Sequence, residues 1–117
     1  VLELSEDRFV SMKYEDVIAA FFEEHGDVDG VFTSNDIIAA EIIRYCGQKG
    51  IEIPGKLKVV GYDDIDLAGL FMPSITTIRQ PIDDMCRYAV ESIIGYKDRA
   101  MPIATTFPVR LIEREST

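Results

Sequence analysis

Histidine and cysteine are scarce in this chain, which has one His and two Cys among its 117 residues. His25 lies beside Gly26 at the end of a predicted helix, and no Ser or Cys has the context of a nucleophile elbow, so nucleophilic catalysis is not expected. No Cys/His spacing or acidic calcium-loop pattern predicts a metal site, and no Gly-rich loop predicts a phosphate site. We therefore expect a protein that is not an enzyme and that carries no cofactor or metal.

Basic residues are also few, with 12 Lys and Arg against 21 Asp and Glu and a net charge of −9. Binding to nucleic-acid phosphates needs clustered cations, so we do not expect this segment to bind nucleic acid itself. No stretch approaches the ~20 apolar residues of a membrane span. Cys46 and Cys86 are far apart, which predicts reduced, buried thiols in a cytoplasmic protein rather than a disulfide scaffold. The chain begins at Val1 in mid-pattern, and we expect a fragment of a longer protein.

Strand and helix patterns alternate along the chain. Apolar runs predict strands at 1–4, 30–33, 57–60 and 105–112, with an extended segment at 74–79. Helical spacing predicts helices from 14 to about 26, at 37–48 and at 82–94. This order predicts an α/β fold with right-handed crossovers and a parallel sheet, and Pro108 indicates that the last strand either lies at an edge or crosses irregularly. The helix at 37–48 is apolar nearly all round, so we expect a second cover besides the sheet, either a neighbouring helix or another subunit.

The stretch 57–64, LKVVGYDD, ends in two carboxylates. Ligands bind at the carboxyl ends of strands in open α/β sheets, so Phe9, Asn35 and Asp63 are predicted to surround one crevice. A carboxylate can accept two hydroxyl hydrogen bonds, an amide can donate and accept, and an aromatic ring can stack on a sugar or a base. The alternatives are a turn role for Asp63 and Asp64, helix capping for Asn35 and Asp36, and core packing for Phe9.

Three longer motifs are similar to sequences of a known protein family. GVFTSNDIIAAEII, KGIEIPGKLKVVGYDDIDLAGLFMPSITTIRQP and PVRLIERES together resemble the LacI/GalR (lactose-repressor/galactose-repressor) family of bacterial transcription regulators. The resemblance implies the C-terminal lobe of a periplasmic-binding-protein-like (type I) fold, with a three-layer αβα parallel sheet. It also implies a cytoplasmic homodimer that binds a small effector (sugar, sugar phosphate or nucleobase-like) and that binds operator DNA through a headpiece absent from this chain.

The resemblance also assigns segments and residues. Residues 1–79 would form a second-lobe segment, 80–104 a helix that returns to the missing first lobe, and 105–117 a terminal crossing strand. The implied ligand contacts are Asp63, Asn35, Phe9 and Gln80, whereas Asp64 is expected to be a turn or capping residue. The implied dimer interface contains Ala40, Ile43, Leu70 and Phe71. The helix at 82–94 would expose its apolar face, so we predict a homodimer or a larger assembly.

Two other functions compete with this interpretation. A periplasmic sugar-binding transport protein shares the lobe architecture, but the RLIER terminus and the apolar helix at 37–48 favour the regulator. A phosphorylatable receiver domain is also acidic and α/β, with Asp63 or Asp64 as phosphoacceptor and Glu6 and Asp7 as the magnesium pair. It is disfavoured because a well-placed lysine is missing and the strands are too few.

Overall fold

A computed structural model describes residues 14–94 and 104–117. Its helices are α1 (Glu15–Glu24), α2 (Asp36–Lys49), a 3-10 helix (Asp66–Gly69) and α3 (Ile82–Ile94), and its strands are β1 (Gly30–Phe32), β2 (Lys58–Tyr62), β3 (Thr76–Arg79) and β4 (Arg110–Ile112). The predicted strand at 1–4 and the predicted ligand contact Phe9 lie outside the described residues. Among these helices, none is long and apolar enough to cross a membrane.

The four strands form one sheet in the order β1-β2-β3-β4. β1 pairs with β2 and β2 with β3 in parallel, whereas β4 pairs with β3 antiparallel. The predicted parallel sheet is therefore confirmed for β1, β2 and β3, and β4 makes the sheet mixed. Arg79, the last residue of β3, pairs with Arg110, the first residue of β4. The chain therefore leaves and re-enters the sheet at the same carboxyl edge, and the returning strand must run in the opposite direction. The predicted edge position of this last strand is confirmed.

Helix α2 is the most deeply covered helix of the described chain. Its buried residues include Ile38, Ala39 and Ile42, and it contacts both β2 and α1. The rings of Phe22 on α1 and Tyr45 on α2 stack with centroids 5.6 Å apart. The predicted second cover is thus provided, at least in part, by a neighbouring helix.

Helix α3 has a different environment, because none of its residues is buried. Ile93 and Ile94 at its end are 75% and 76% exposed. Cys86 on this helix is exposed, so the prediction of two buried thiols is wrong for Cys86 and right for Cys46. Burial raises the pKa of the Cys46 thiol to about 11. The pattern of α3 predicted a helix correctly, but no other described element buries its apolar face.

The C-terminal segment forms hydrogen bonds with the amino ends of β2 and β3. The hydroxyl of Ser116, which is fully buried, donates to the carbonyl of Val59 at 2.6 Å and accepts from the backbone N–H of Thr76 at 2.8 Å. The backbone N–H of Val59 donates to the carbonyl of Ser116 at 2.8 Å. The terminal segment is therefore part of the sheet assembly, and it links β2 to β3 beside their first paired residues, Val60 and Thr76.

Candidate functional site

Two predicted ligand contacts meet at the carboxyl edge of the sheet. The side-chain amide of Gln80 donates from Nε2 to Oδ1 of Asp63 at 2.8 Å. Asp63 follows β2 and is exposed, and Gln80 follows β3 and is half-buried. A carboxylate and an amide in contact at this edge offer both acceptors and donors to a hydroxyl group.

Asn35 stands at the same edge, after the neighbouring strand β1. Its Oδ1 accepts a hydrogen bond from the backbone N–H of Ile38 at 2.9 Å, so Asn35 is the N-cap of α2. The capping role that the sequence left open is therefore confirmed. The cap uses the carbonyl oxygen of the amide and leaves its Nδ2 group as a donor on the half-buried side chain.

Asp36 is a buried carboxylate for which the sequence indicated helix capping alone. It is fully buried, and its Oδ1 accepts from the hydroxyl of Thr77 at 2.5 Å. Its Oδ2 accepts from the backbone N–H of Ile65 at 2.9 Å. Gly61 passes so close that a Cβ there would overlap the Asp36 carboxylate. The start of α2, the middle of β3 and the loop after β2 are thus joined through one side chain.

Asp64 has a larger role than the predicted turn or capping residue. It does lie in a turn, with φ of 52°, but its side chain is only 3% exposed. Its Oδ1 accepts from Nη2 of Arg114 at 2.7 Å, and its Oδ2 pairs with Nε of Arg79. Burial raises the pKa of Asp64, but the hydrogen bonds from Arg114 and Arg79 outweigh that effect and hold the pKa below its ordinary value. The two arginines lie 15 and 50 positions from Asp64, so spacing in the sequence could not indicate the cluster.

An aromatic pair with one exposed ring lies at this edge as well. The rings of Phe32, the last residue of β1, and Tyr62, the last residue of β2, meet edge to face with centroids 6.4 Å apart. Phe32 is 65% exposed, and the sequence had predicted it only as a strand residue. The exposed ring of Phe32 offers at this edge the kind of flat apolar surface that was predicted for Phe9.

The residues predicted for a dimer interface differ in exposure. Leu70 is 76% exposed, whereas Ile43 is 8% exposed and belongs to the core. Ala40 and Phe71 are partly buried and pack against that core. Leu70 is thus the member of this set with most surface to offer another protein.

A separate groove of about 380 Å³ lies away from these residues, between the ends of α1 and α2 and the segments that precede β1 and β2. It is lined by Phe22, Glu23, Gly26, Val28, Tyr45, Lys49, Ile51, Lys56 and Leu57. None of the predicted site residues lines it. Among the described residues, no group of three or more His, Cys, Asp or Glu side chains could hold a metal ion.

Comparisons with known proteins match nearly the whole chain. A model of the periplasmic binding protein-like domain matches residues 3–117. The ribose operon repressor of Halalkalibacterium halodurans is 35% identical over 104 residues, which are 86% of this chain and 31% of that protein. The sucrose operon repressor of Streptococcus mutans is 36% identical over 89 residues, which are 75% of this chain and 28% of that protein. The chain therefore spans about a third of the length of these relatives.

A solved structure gives the same result for the fold. A LacI family transcriptional regulator from Arthrobacter sp. FB24, in complex with lactose, superposes with a TM-score of 0.76 at 32% sequence identity. The superposition covers 88% of this chain and 40% of the other.

Proposed function

This chain belongs to the periplasmic-binding-protein-like domain family, and from that premise we propose that it is the effector-binding and dimerising part of a sequence-specific bacterial transcription regulator that senses a small sugar or related metabolite. The resemblance to LacI/GalR regulators expected from the motifs is confirmed by the repressors among its relatives. Those relatives favour a regulator over a transport protein. A regulator of this kind acts on DNA, so the proposal places the protein in the cytoplasm.

One observation carries the sugar-binding part of this proposal, namely the contact between Asp63 and Gln80 at the carboxyl edge of the sheet. Sugars present adjacent hydroxyl groups, each of which donates and accepts. A carboxylate can accept from two of them, and hydrogen bonds to a charged group stabilise a complex by about 1.5–3 kcal/mol each. Gln80 and the free Nδ2 of Asn35 can donate to the hydroxyl oxygens.

The exposed ring of Phe32 supports the same ligand class. Sugars have apolar C–H faces, and aromatic rings at the edge of a site bury such faces without demanding a charge. The site thus combines an anionic acceptor, amide donors and a flat apolar surface. This combination fits a neutral polyhydroxyl ligand better than an anion, which the exposed carboxylate of Asp63 would repel.

The segments and the assembly belong to the proposal too. We place residues 1–79 in the second lobe, 80–104 as the helix that returns to a first lobe outside this chain, and 105–117 as the terminal crossing strand. The unburied apolar residues of α3 are consistent with a partner surface that this chain does not contain. DNA contact would belong to another part of the longer protein, in agreement with the net charge of −9.

The test uses the complete protein that contains this chain. Thermal-shift measurements with D-ribose, sucrose and lactose should identify at least one stabilising sugar, since a ligand at 100 times its Kd adds about 2.7 kcal/mol to the free energy of unfolding. Fluorescence anisotropy with DNA from the protein's own promoter region should then show that this sugar changes DNA affinity. Sugar binding without DNA binding at low salt would favour the transport function, and no response to any sugar would contradict sugar sensing.

A further inference from the structure

We infer that Arg114, in the C-terminal segment, is a positioning residue for ligand binding, because its pairing with Asp64 fixes the backbone turn that presents the Asp63 carboxylate. This inference rests on the proposed function, since it concerns the same site. Arg114 is assigned no contact with the ligand itself.

The turn that carries Asp63 needs external support. Asp63 and Asp64 have φ values of 103° and 52°, both in the left-handed region that side chains other than glycine rarely adopt. Backbone in such a conformation persists only where the surrounding structure holds it. Two consecutive residues of this kind make the direction of the Asp63 carboxylate sensitive to whatever holds its neighbour.

The contacts of Asp64 provide that support. Its carboxylate, 3% exposed, accepts from Nη2 of Arg114 at 2.7 Å and also pairs with Arg79. Its backbone N–H donates to the hydroxyl of Thr77 at 3.3 Å. Asp63 next to it is exposed, and its backbone N–H donates to the carbonyl of Ile78 at 2.9 Å. The buried side chain of Asp64 is therefore the anchor, and the exposed side chain of Asp63 is the part that the anchor orients.

Arg114 is better placed than Arg79 to hold this anchor. The Arg114 side chain is 21% exposed, whereas that of Arg79 is 56% exposed. Arg114 also donates from Nη1 to the carbonyl of Ile75 at 2.7 Å, and its backbone N–H donates to the hydroxyl of Thr76 at 2.8 Å. The guanidinium is thus fixed to Ile75, just before β3, on one side and to Asp64 on the other, a fork geometry that arginine provides and lysine does not.

Removing Arg114 would leave a buried carboxylate with one exposed partner. Such a group rearranges toward water or takes up a proton, and either response moves the turn. Asp63 would then lose its alignment with Gln80, although both of these residues would still be present. Ligand affinity should therefore fall, although Arg114 does not contact the ligand.

The experiment compares variants of the complete protein by isothermal titration with the sugar that binds wild type, D-ribose being the first probe. Arg114→Met should weaken binding about tenfold or more, as expected for one misaligned charge-assisted hydrogen bond. Arg110→Met, the same change at an exposed arginine of β4, is the matched control and should stay within about twofold. The double variant Arg114→Met/Asp64→Asn should regain most of the affinity, because Asn tolerates a positive φ and leaves no buried charge.

Rescue by the double variant separates positioning from general stability. A double variant as weak as Arg114→Met, or an Arg114→Met protein that binds as tightly as wild type, would overturn the inference. If Arg114→Met does not fold, Arg114→Lys is measured in its place. It should bind several-fold more weakly than wild type because an ammonium cannot replace the fork, and unchanged binding would overturn the inference.

A second readout does not depend on a sugar. The 13Cγ resonance of Asp63, assigned by its loss in Asp63→Asn, reports the hydrogen bond from Gln80. It should shift in Arg114→Met and return toward the wild-type position in the double variant, and an unchanged resonance would overturn the inference. If wild type binds no sugar, the proposed function fails while this resonance still decides the positioning role.

Discussion

Gln80 donates a hydrogen bond from Nε2 to Oδ1 of Asp63 at 2.8 Å, and this contact joins the chain after β2 to the chain after β3. Gln80 is followed by Pro81 and then by α3. A ligand hydroxyl that binds the Asp63 carboxylate would thus act next to the residue that leads into α3. In the proposed regulator, ligand binding at Asp63 would therefore affect the crossing segment between the lobes through Gln80.

The close approach of Gly61 to the Asp36 carboxylate predicts that Gly61→Ala destabilises the fold. The new Cβ would overlap Oδ1 of Asp36, and overpacking of this kind costs about 1–3 kcal/mol. Urea denaturation measures the free energy of unfolding. Gly47→Ala is the control, because a Cβ there, in the last turn of α2, meets nothing within 4 Å. That change should stabilise the protein by about 0.4–1 kcal/mol, and equal effects of the two substitutions would contradict the packing argument.

Two substitutions separate the capping role of Asn35 from its proposed ligand role. Asn35→Ala should lower the free energy of unfolding by about 1 kcal/mol, whereas Asn35→Ser, which keeps a capping oxygen, should change it little. Both variants remove Nδ2 and should therefore weaken sugar binding in titration calorimetry. Normal sugar affinity in Asn35→Ser would show that Asn35 is a cap alone.

The lowered pKa of Asp64 predicts a pH-dependent contribution to stability. A carboxyl group whose pKa is lower in the folded state stabilises the fold above its unfolded pKa of about 3.9, and this contribution is lost as the pH falls through the folded pKa. The difference in free energy of unfolding between wild type and Asp64→Asn should be large at neutral pH and should shrink under acidic conditions. Denaturation curves across this range measure it. In the Arg114→Met background, the difference that Asp64→Asn makes to the free energy of unfolding should depend less on pH. If the difference between wild type and Asp64→Asn is constant with pH, the ion pair is contradicted.

The exposed side chain of Leu70 predicts a role in assembly. Light scattering should show that the complete protein is at least a dimer at micromolar concentration, and Leu70→Asp should shift it toward monomer, because a charge in an apolar interface must be desolvated. Leu111→Asp places the same charge on β4, where Leu111 is 55% exposed, and it serves as the control. A wild-type monomer would contradict the proposed dimer.

Much of the fold could be predicted from the sequence, because the signals are local. The apolar spacing of α2 and the position of Asn35 just before it were sufficient to place a capped helix. The apolar run before Gly61 was sufficient to place a buried strand. The antiparallel direction of β4 could not be predicted, since it depends on where residues 80–109 return to the sheet.

The site was predictable in part for the same reason. Asp63 could be proposed because the end of a parallel strand is a general location for ligands. The role of Asp64 could not be predicted, because it depends on Arg114, which lies 50 positions away and approaches only when the C-terminal segment packs against β3. The exposure of Phe32 could not be predicted either, since an apolar residue at the end of a strand is buried or exposed according to what covers it in three dimensions.

Titration calorimetry on the complete protein, with wild type compared with Asp63→Ala and Asp27→Ala, tests the central claim most directly. Asp27 is an exposed carboxylate in the turn before β1, and its removal changes the net charge by the same amount. Asp63→Ala should weaken binding of the sugar that stabilises wild type by about 1.5–3 kcal/mol, whereas Asp27→Ala should bind like wild type. Wild-type affinity in Asp63→Ala would contradict the assignment of the ligand site to this edge of the sheet.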